Sequence, residues 1–197
     1  MRKMTFAIIV LTLAIIFGYL IISDNKKPNM EAQNVESNTE PQEAKEELSL
    51  TSSVFEHMGS IPAHYTCDGV KVNPPLAISG ITPEAKSLVL IMEDPDVPKS
   101  ARADGMWDHW IKFNLSPDLK VIEEGKDPGG VSGINTSDNL KYVPPCPPDR
   151  EHRYFFYLYS LDTTLDLKEG VTKIEVLSAI EGHILQKTEL VGLYNRQ

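Results

Sequence analysis

Cysteine and tryptophan are scarce, two of each in 197 residues, and positive charge is in deficit, with 19 Lys and Arg against 28 Asp and Glu. The resulting formal net charge of −9 argues against nucleic acid as a partner, because nothing neutralises phosphates in bulk. No G-x-S-x-G elbow, H-E-x-x-H or glycine-rich phosphate loop occurs, so the commonest hydrolase, metalloprotease and nucleotide signatures are missing. No closely spaced pair of Cys or His points to zinc, and neither a metal nor a cofactor is expected. No internal repeat divides the chain. What remains, at 41% hydrophobic residues, is the composition of one globular domain with additions.

The additions are N-terminal. Phe6 to Ile22 carries no charge, follows Arg2 and Lys3, and spans roughly 25 Å at ~1.5 Å per residue, the short end of what crosses a bilayer. It ends in Ser23-Asp24-Asn25-Lys26-Lys27, without the small-residue pattern of a cleavage site and without a cysteine to carry a lipid. The sequence therefore predicts a signal-anchor and transmembrane helix over residues 1–23, leaving the globular domain membrane-anchored and extracytoplasmic. Signal cleavage and a buried soluble helix are the competing readings. Residues 24–47 have almost no large apolar side chains and are expected to form a disordered acidic tether.

Residues 48–197 read mainly as strands. Ser87 to Glu93 is a short apolar run ending in an Asp-Pro-Asp turn. From Trp107 to Leu115 the odd residues Trp107, His109, Ile111, Phe113 and Leu115 alternate with Asp108, Trp110, Lys112 and Asn114, which predicts a strand with one face more buried than the other. Arg153 to Leu161 is aromatic and proline-free and suits a central strand. One helix is signalled by a Thr172-x-x-Glu175 capping box, with Ile174, Leu177 and Ile180 along one face and Gly182 as a stop. The pattern is that of an all-β core of two packed sheets with a helix near the C-terminus.

Two polar clusters could carry a site. Asp94 and Asp96 flank Pro95, which restricts itself and the residue before it, although an Asp-Pro turn capping a strand is also an ordinary surface feature. In the second cluster, strand alternation puts His152 and Tyr154 on one face and Arg153 on the other. A lone strand histidine such as His109 is more often a satisfied core residue than a ligand contact. Cys67 and Cys146 form one disulfide or remain two independent thiols, and both readings stay open.

The order of motifs adds what spacing cannot. IPAHYTCDG (61–69), NPPL (73–76), KSLVLIMEDPDVP (86–98), DHWIKFN (108–114), YVPPCPPDREHRYFFYLYSLD (142–162) and then EGHIL and ELVGLYNR resemble the phosphatidylethanolamine-binding protein family, also called Raf-kinase-inhibitor-like, in its bacterial and archaeal branch. The resemblance implies a β-sandwich of two antiparallel sheets with peripheral helices, and a pocket for a small anion or phosphorylated head group such as phosphate or phosphoryl-ethanolamine. By motif position it assigns Asp94, Asp96 and Pro98 to one wall, His109 to the middle strand, and Cys146, His152 and Tyr154 to the other side. Histidine and tyrosine, helped by backbone N–H groups of the adjacent loop, would supply donors to the anion. Arg153, on the opposite face, is expected to form an ion pair with Asp96.

Three places depart from the family pattern: Pro144 and the Ser137-Asp138-Asn139 stretch stand where glycine is common, and Ile78 where tryptophan is. The expected function is non-enzymatic binding that modulates a partner protein such as a kinase or protease. The competing readings are a hydrolase-like enzyme using Asp, His and Tyr, and a membrane-displayed interaction domain.

Overall fold

Alternating apolar residues on both faces of one strand decide the architecture. The computed structural model describes residues 46–196. In β4 (Ser87–Asp94), Leu88, Leu90 and Met92 enter one core while Val89 and Ile91 enter another, so the strand is buried on both sides. Around it forms a six-stranded sheet in the order β2 (Gly59–Ser60), β9 (Ile184–Tyr194), β8 (His152–Leu161), β4, β5 (Trp107–Leu115), β7 (Val131–Ser132). A three-stranded sheet of β1 (Ser49–Thr51), β3 (Leu76–Ser79) and β6 (Val121–Ile122) supplies Leu50, Leu76, Ile78 and Ile122 to the first core. The sandwich is therefore present, with one exception to its antiparallel pairing, since β2 runs parallel to β9.

The helix α1 (Lys173–Ile180) and the loop residue Leu165 cover the other face of the large sheet, sealing Val89, Ile91, Ile111 and Phe113. Its capping box forms as expected, with Thr172 and Glu175 bonding reciprocally. The buried residues are Val176 and Ile180, however, and Ile174 is 73% exposed. The helix is anchored by Lys173, whose ammonium meets Glu93 of β4 at 2.7 Å and Asp108 of β5 at 2.5 Å. This polar clamp fixes the axial rotation of α1, which the apolar spacing alone leaves ambiguous.

The simple alternation expected for β5 fails. Trp110 and Leu115 share the sandwich core, and Ile111 and Phe113 share the core under α1. Between the pairs Leu88–Leu115 and Leu90–Lys112 the strand gains one residue, with Asn114 in the left-handed region at φ 53. The Asn114 side chain holds the distortion by accepting from the Leu165 N–H and donating to its carbonyl, both at 2.8 Å. A second extra residue lies between Met92–Trp110 and Glu93–Asp108, and it is His109. A bulge re-aims side chains, and this one places His109 at the end of the sheet. Lys112, expected on a polar face, is buried, with its ammonium held by Asp127 at 2.9 Å and Ser132 at 3.0 Å.

The expected transmembrane helix over residues 1–23 and nearly all of the tether over 24–47 lie outside the described residues. The membrane-anchored, extracytoplasmic placement is corrected accordingly. Among the described residues no helix is long and apolar enough to cross a membrane, and α1 has eight residues where a span needs ~20.

The burial pattern sets a stability contrast. Phe156→Ala, at the centre of the sandwich core, should cost about 3–5 kcal/mol, and Ile174→Ala on the open face of α1 should stay within about 0.5 kcal/mol. Urea unfolding of the two variants checks both, and comparable losses would contradict the assigned helix face.

Candidate ligand pocket

Three strand ends meet at one edge of the large sheet: the last residue of β4, the first turn of β5 and the first residue of β8. Between them opens a cavity of about 200 Å³, below the roughly 300 Å³ at which pockets for drug-sized ligands begin. Asp94, His109, Cys146 and His152 line it, joined by Val97, Ala101, Trp107, Val143, Pro144 and Pro148. The walls are thus mostly apolar, and no lysine or arginine is among them.

Asp94 is 3% exposed and its carboxylate is fully engaged. Its Oδ1 accepts the Asp96 N–H at 2.8 Å, closing the turn around Pro95, and its Oδ2 meets His152 Nδ1 at 2.7 Å. His152 is wholly buried, and its Nε2 faces Asp149 Oδ1 at 2.9 Å. Each ring nitrogen therefore has a carboxylate oxygen opposite it, and only the doubly protonated imidazole donates to both. Both nitrogens of His152, expected from the sequence to offer a hydrogen bond to ligand, face carboxylates of the protein itself.

Asp96 turns away from the cavity. It accepts from Arg153 Nε at 2.8 Å, Arg153 Nη2 at 2.9 Å and the Arg153 backbone at 3.0 Å, with Arg150 at 3.8 Å. The expected Asp96–Arg153 pair is present, bidentate, on the face opposite His152. The Arg153 side chain, ahead of its backbone N–H and charge, holds the Asp96 carboxyl below the ordinary carboxylate range against the opposing effect of burial. Pro98 does not line the cavity either. Its carbonyl accepts from the N–H groups of Ala101 and Arg102, shaping the loop that brings Ala101 to the wall.

His109 is 4% exposed, and its Nδ1 lies 2.8 Å from the Val143 carbonyl. A carbonyl only accepts, so Nδ1 carries a proton and Nε2 in the neutral ring presents a lone pair. Burial pushes the His109 pKa down to about 4, with the Val143 bond and the charge of Asp94 opposing and the nearby His152 adding to the shift. Its Nε2 has no hydrogen-bond partner. The Tyr154 hydroxyl, whose oxygen faces the Cys146 N–H, has no acceptor for its own proton and lies behind the cavity wall, with its ring 5.3 Å from that of His109, edge to face. Burial, then the Asp94 charge, raises the Tyr154 pKa far above its usual value, so the hydroxyl keeps its proton.

The loop wall from 143 to 148 is nearly devoid of donors. Pro144, Pro145, Pro147 and Pro148 have no N–H, and the Val143 N–H donates to the His109 carbonyl at 3.1 Å. Backbone donors expected from this loop reduce to the Cys146 N–H, directed at the Tyr154 oxygen. A disulfide between Cys67 and Cys146, with Cα atoms 5.3 Å apart, ties the wall to the 61–69 segment, and the Cys67 N–H adds a bond to the Pro145 carbonyl at 3.0 Å. Of the departures from the family pattern, Pro144 alone touches the cavity. Asp138 takes a left-handed φ of 53 in a separate turn, and Ile78 fills the sandwich core. Asp149 escaped sequence reasoning, although an acidic residue three before a strand-opening histidine was its available signal. Val97, Ala101, Trp107, Val143 and Pro148 gave no signal beyond being small or apolar.

The fold and the edge cavity define a β-sandwich with a small pocket at the ends of its central strands. The phosphatidylethanolamine-binding protein family model matches residues 51–195, and the chain belongs to that family. The UPF0098 protein of Chlamydia muridarum is 52% identical over 149 residues, covering 76% of this chain and 99% of that protein. The UPF0098 protein of the archaeon Methanothermobacter thermautotrophicus is 48% identical over 155 residues, with the same coverage of 76% and 99%. A crystal structure of a phosphatidylethanolamine-binding protein homolog from Chlamydia trachomatis superposes with a TM-score of 0.76 at 50% identity, over 77% of this chain and 99% of that one. E. coli YbcL, at 22% identity and a TM-score of 0.69 over 77% and 99%, shares the fold.

Two outcomes follow from the ion pairs. Asp94→Ala leaves the buried His152 without its main partner and should cost about 3–5 kcal/mol in urea unfolding, and a loss under 1 kcal/mol would contradict the contact's role. Because the folded Asp96 pKa is depressed, its stabilisation is complete above the ordinary value of about 3.9 and is lost as pH falls through the folded value. The stability gap between the parent and Asp96→Asn should therefore be present at neutral pH and close in acid, and a pH-independent gap would contradict this.

Proposed function

We propose that this chain is a non-enzymatic binder of small oxyanions or phosphorylated head groups, held in the pocket at the end of β4, β5 and β8. The observation that carries the reading is a pair of buried polar groups, His109 Nε2 without a partner on the lining of a cavity of head-group size, and the Tyr154 hydroxyl without an acceptor just behind its wall. A buried polar group without a partner costs about 1–3 kcal/mol, so a ligand that satisfies both recovers free energy that the empty fold forgoes. Kinship supports the reading, since the family is named for binding a phospholipid. The Asp94–His152 pair argues against hydrolysis, because both of its reactive ends are committed to the fold. An effect on a partner protein such as a kinase or protease would be a consequence of occupancy.

Tyr154→Phe separates binding from stability. Removing an unpartnered hydroxyl should leave stability unchanged or raise it by up to about 1 kcal/mol, while the affinity for phosphate or phosphoethanolamine, measured by titration calorimetry, falls about tenfold. Unchanged affinity in the variant, or no heat with either ligand in the parent, ends this reading. Phosphoester turnover abolished by His109→Ala would replace it with a hydrolase, and a partner protein bound independently of both His109 and His152 would replace it with an interaction domain.

A further inference from the structure

Neighbouring residues of two segments face different cavities. On β5, His109 lines the pocket at the end of the sheet and the next residue, Trp110, lines a second cavity; Val143 and Tyr142 divide in the same way. The second cavity measures about 320 Å³, at the lower end of the range for small-molecule sites, roughly 300–1,000 Å³. Its apolar wall is Val72, the Tyr142 ring and Trp110, the last two meeting edge to face at 5.6 Å.

Three features of this lining lack a role within the fold. Trp110 is 3% exposed, yet its indole N–H donates to no group among the described residues. A buried indole ordinarily finds an acceptor, and the cavity is where one can reach it. Lys71, Lys126 and Lys141 also line the cavity, all exposed, and form no ion pair among the described residues. Lys71 holds a left-handed φ of 70, which glycine or asparagine adopts with less strain. Strain of that kind collects at binding sites, and here it sets a charged side chain on the rim.

The surrounding groups leave these charges uncompensated. Asp127, the one carboxylate on the lining, is held by the buried Lys112 at 2.9 Å. Glu124 is taken by His64 at 2.9 Å and Tyr65 at 2.8 Å, and Asp68, whose carboxyl feels the Lys71 charge, by Arg196 at 3.0 Å. Asn73 gives its amide to the Pro74 and Glu123 carbonyls, and the Tyr142 hydroxyl donates to the Tyr65 carbonyl at 2.9 Å. The side-chain donors left on the lining are therefore one indole and three ammonium groups. In a chain of net charge −9, they make a local field of the opposite sign.

We infer that this cavity is a second binding site, for small organic polyanions with an apolar or aromatic body. The body lies against Val72 and Tyr142, one acidic oxygen accepts from the Trp110 indole, and the remaining charge meets Lys71, Lys126 and Lys141. Ammonium groups are compact point charges without the planar fork that matches one oxyanion geometry. The site therefore sorts ligands by total charge and apolar body, and it works independently of the pocket at the ends of β4, β5 and β8.

The two tryptophans of the chain allow a direct test, because Trp107 lines that first pocket and Trp110 this cavity. Their indole signals in ¹H–¹⁵N spectra of the full chain report the two sites separately. Trimellitate, a benzene ring with three carboxylates, should shift the Trp110 signal and leave that of Trp107 in place. Citrate, which has the charge without the ring, and benzoate, which has the ring with one charge, should each bind about tenfold more weakly. Raising salt from about 0.05 to about 0.5 M should weaken trimellitate about fivefold. Lys126→Gln and Lys141→Gln should each weaken it about two- to fivefold. Lys71→Asn should do the same while leaving the urea midpoint unchanged or raised, since asparagine suits the left-handed backbone. No shift of the Trp110 signal at about 10 mM trimellitate, or a shift confined to Trp107, overturns the inference. So does citrate binding as tightly as trimellitate, or an affinity that the three lysine substitutions together leave unaltered.

Discussion

The 2.7 Å contact between the buried Asp94 carboxylate and His152 Nδ1 holds the functional end of the sheet together. It joins the last residue of β4 to the first residue of β8, two strands already paired along their length. The second oxygen of Asp94 closes the turn to Asp96, and Asp96 meets Arg153 one pleat away on the opposite face. A single strand opening, Glu151-His152-Arg153-Tyr154, thus feeds two separate electrostatic systems, one buried at the pocket and one half-exposed behind it. Charges are costly in such a setting unless every partner is satisfied, and here Asp149 supplies the remaining contact to His152.

This arrangement inverts the first impression of which residues act on a ligand. The Asp–His pair, which looks like catalytic machinery, has no free valence and serves as scaffold. The residues left with chemistry to offer are the two that the scaffold does not saturate, His109 and Tyr154. His109 reaches the pocket because β5 carries an extra residue there, and Tyr154 lies directly behind its wall because it follows His152 on the same face of β8. The disulfide and the prolines of the 143–148 wall then confine the cavity to head-group size and strip it of backbone donors.

Much of this was legible in the sequence, unevenly. Alternation in β8 placed His152 and Tyr154 opposite Arg153, and the capping box located the start of α1. Alternation in β5 misled, because the two bulges depend on pairing with β4 and on Asn114 finding Leu165 across the fold, neither of which local spacing encodes. On α1 the expected Leu177 and Ile180 do pack on the core, and only Ile174 is left outside, with Val176 buried in its place. The convergence of Asp94, His109 and His152 came from family resemblance and not from periodicity. Asp96 and Pro98 belonged to the right motif but support the wall from behind, a distinction that side-chain geometry alone makes. Which nitrogen of a histidine is free is equally invisible in a sequence, since it depends on the Val143 carbonyl and on Asp149.

The account stands on His109 presenting an unprotonated Nε2 in the ligand-free protein. Long-range ¹H–¹⁵N correlation of the histidine ring nitrogens reads this directly. At neutral pH the His109 ring should appear as the Nδ1–H tautomer with a pyridine-type Nε2, and that Nε2 signal should shift when phosphoethanolamine is added. An Nε2–H tautomer, or a ring already doubly protonated without ligand, would contradict the account.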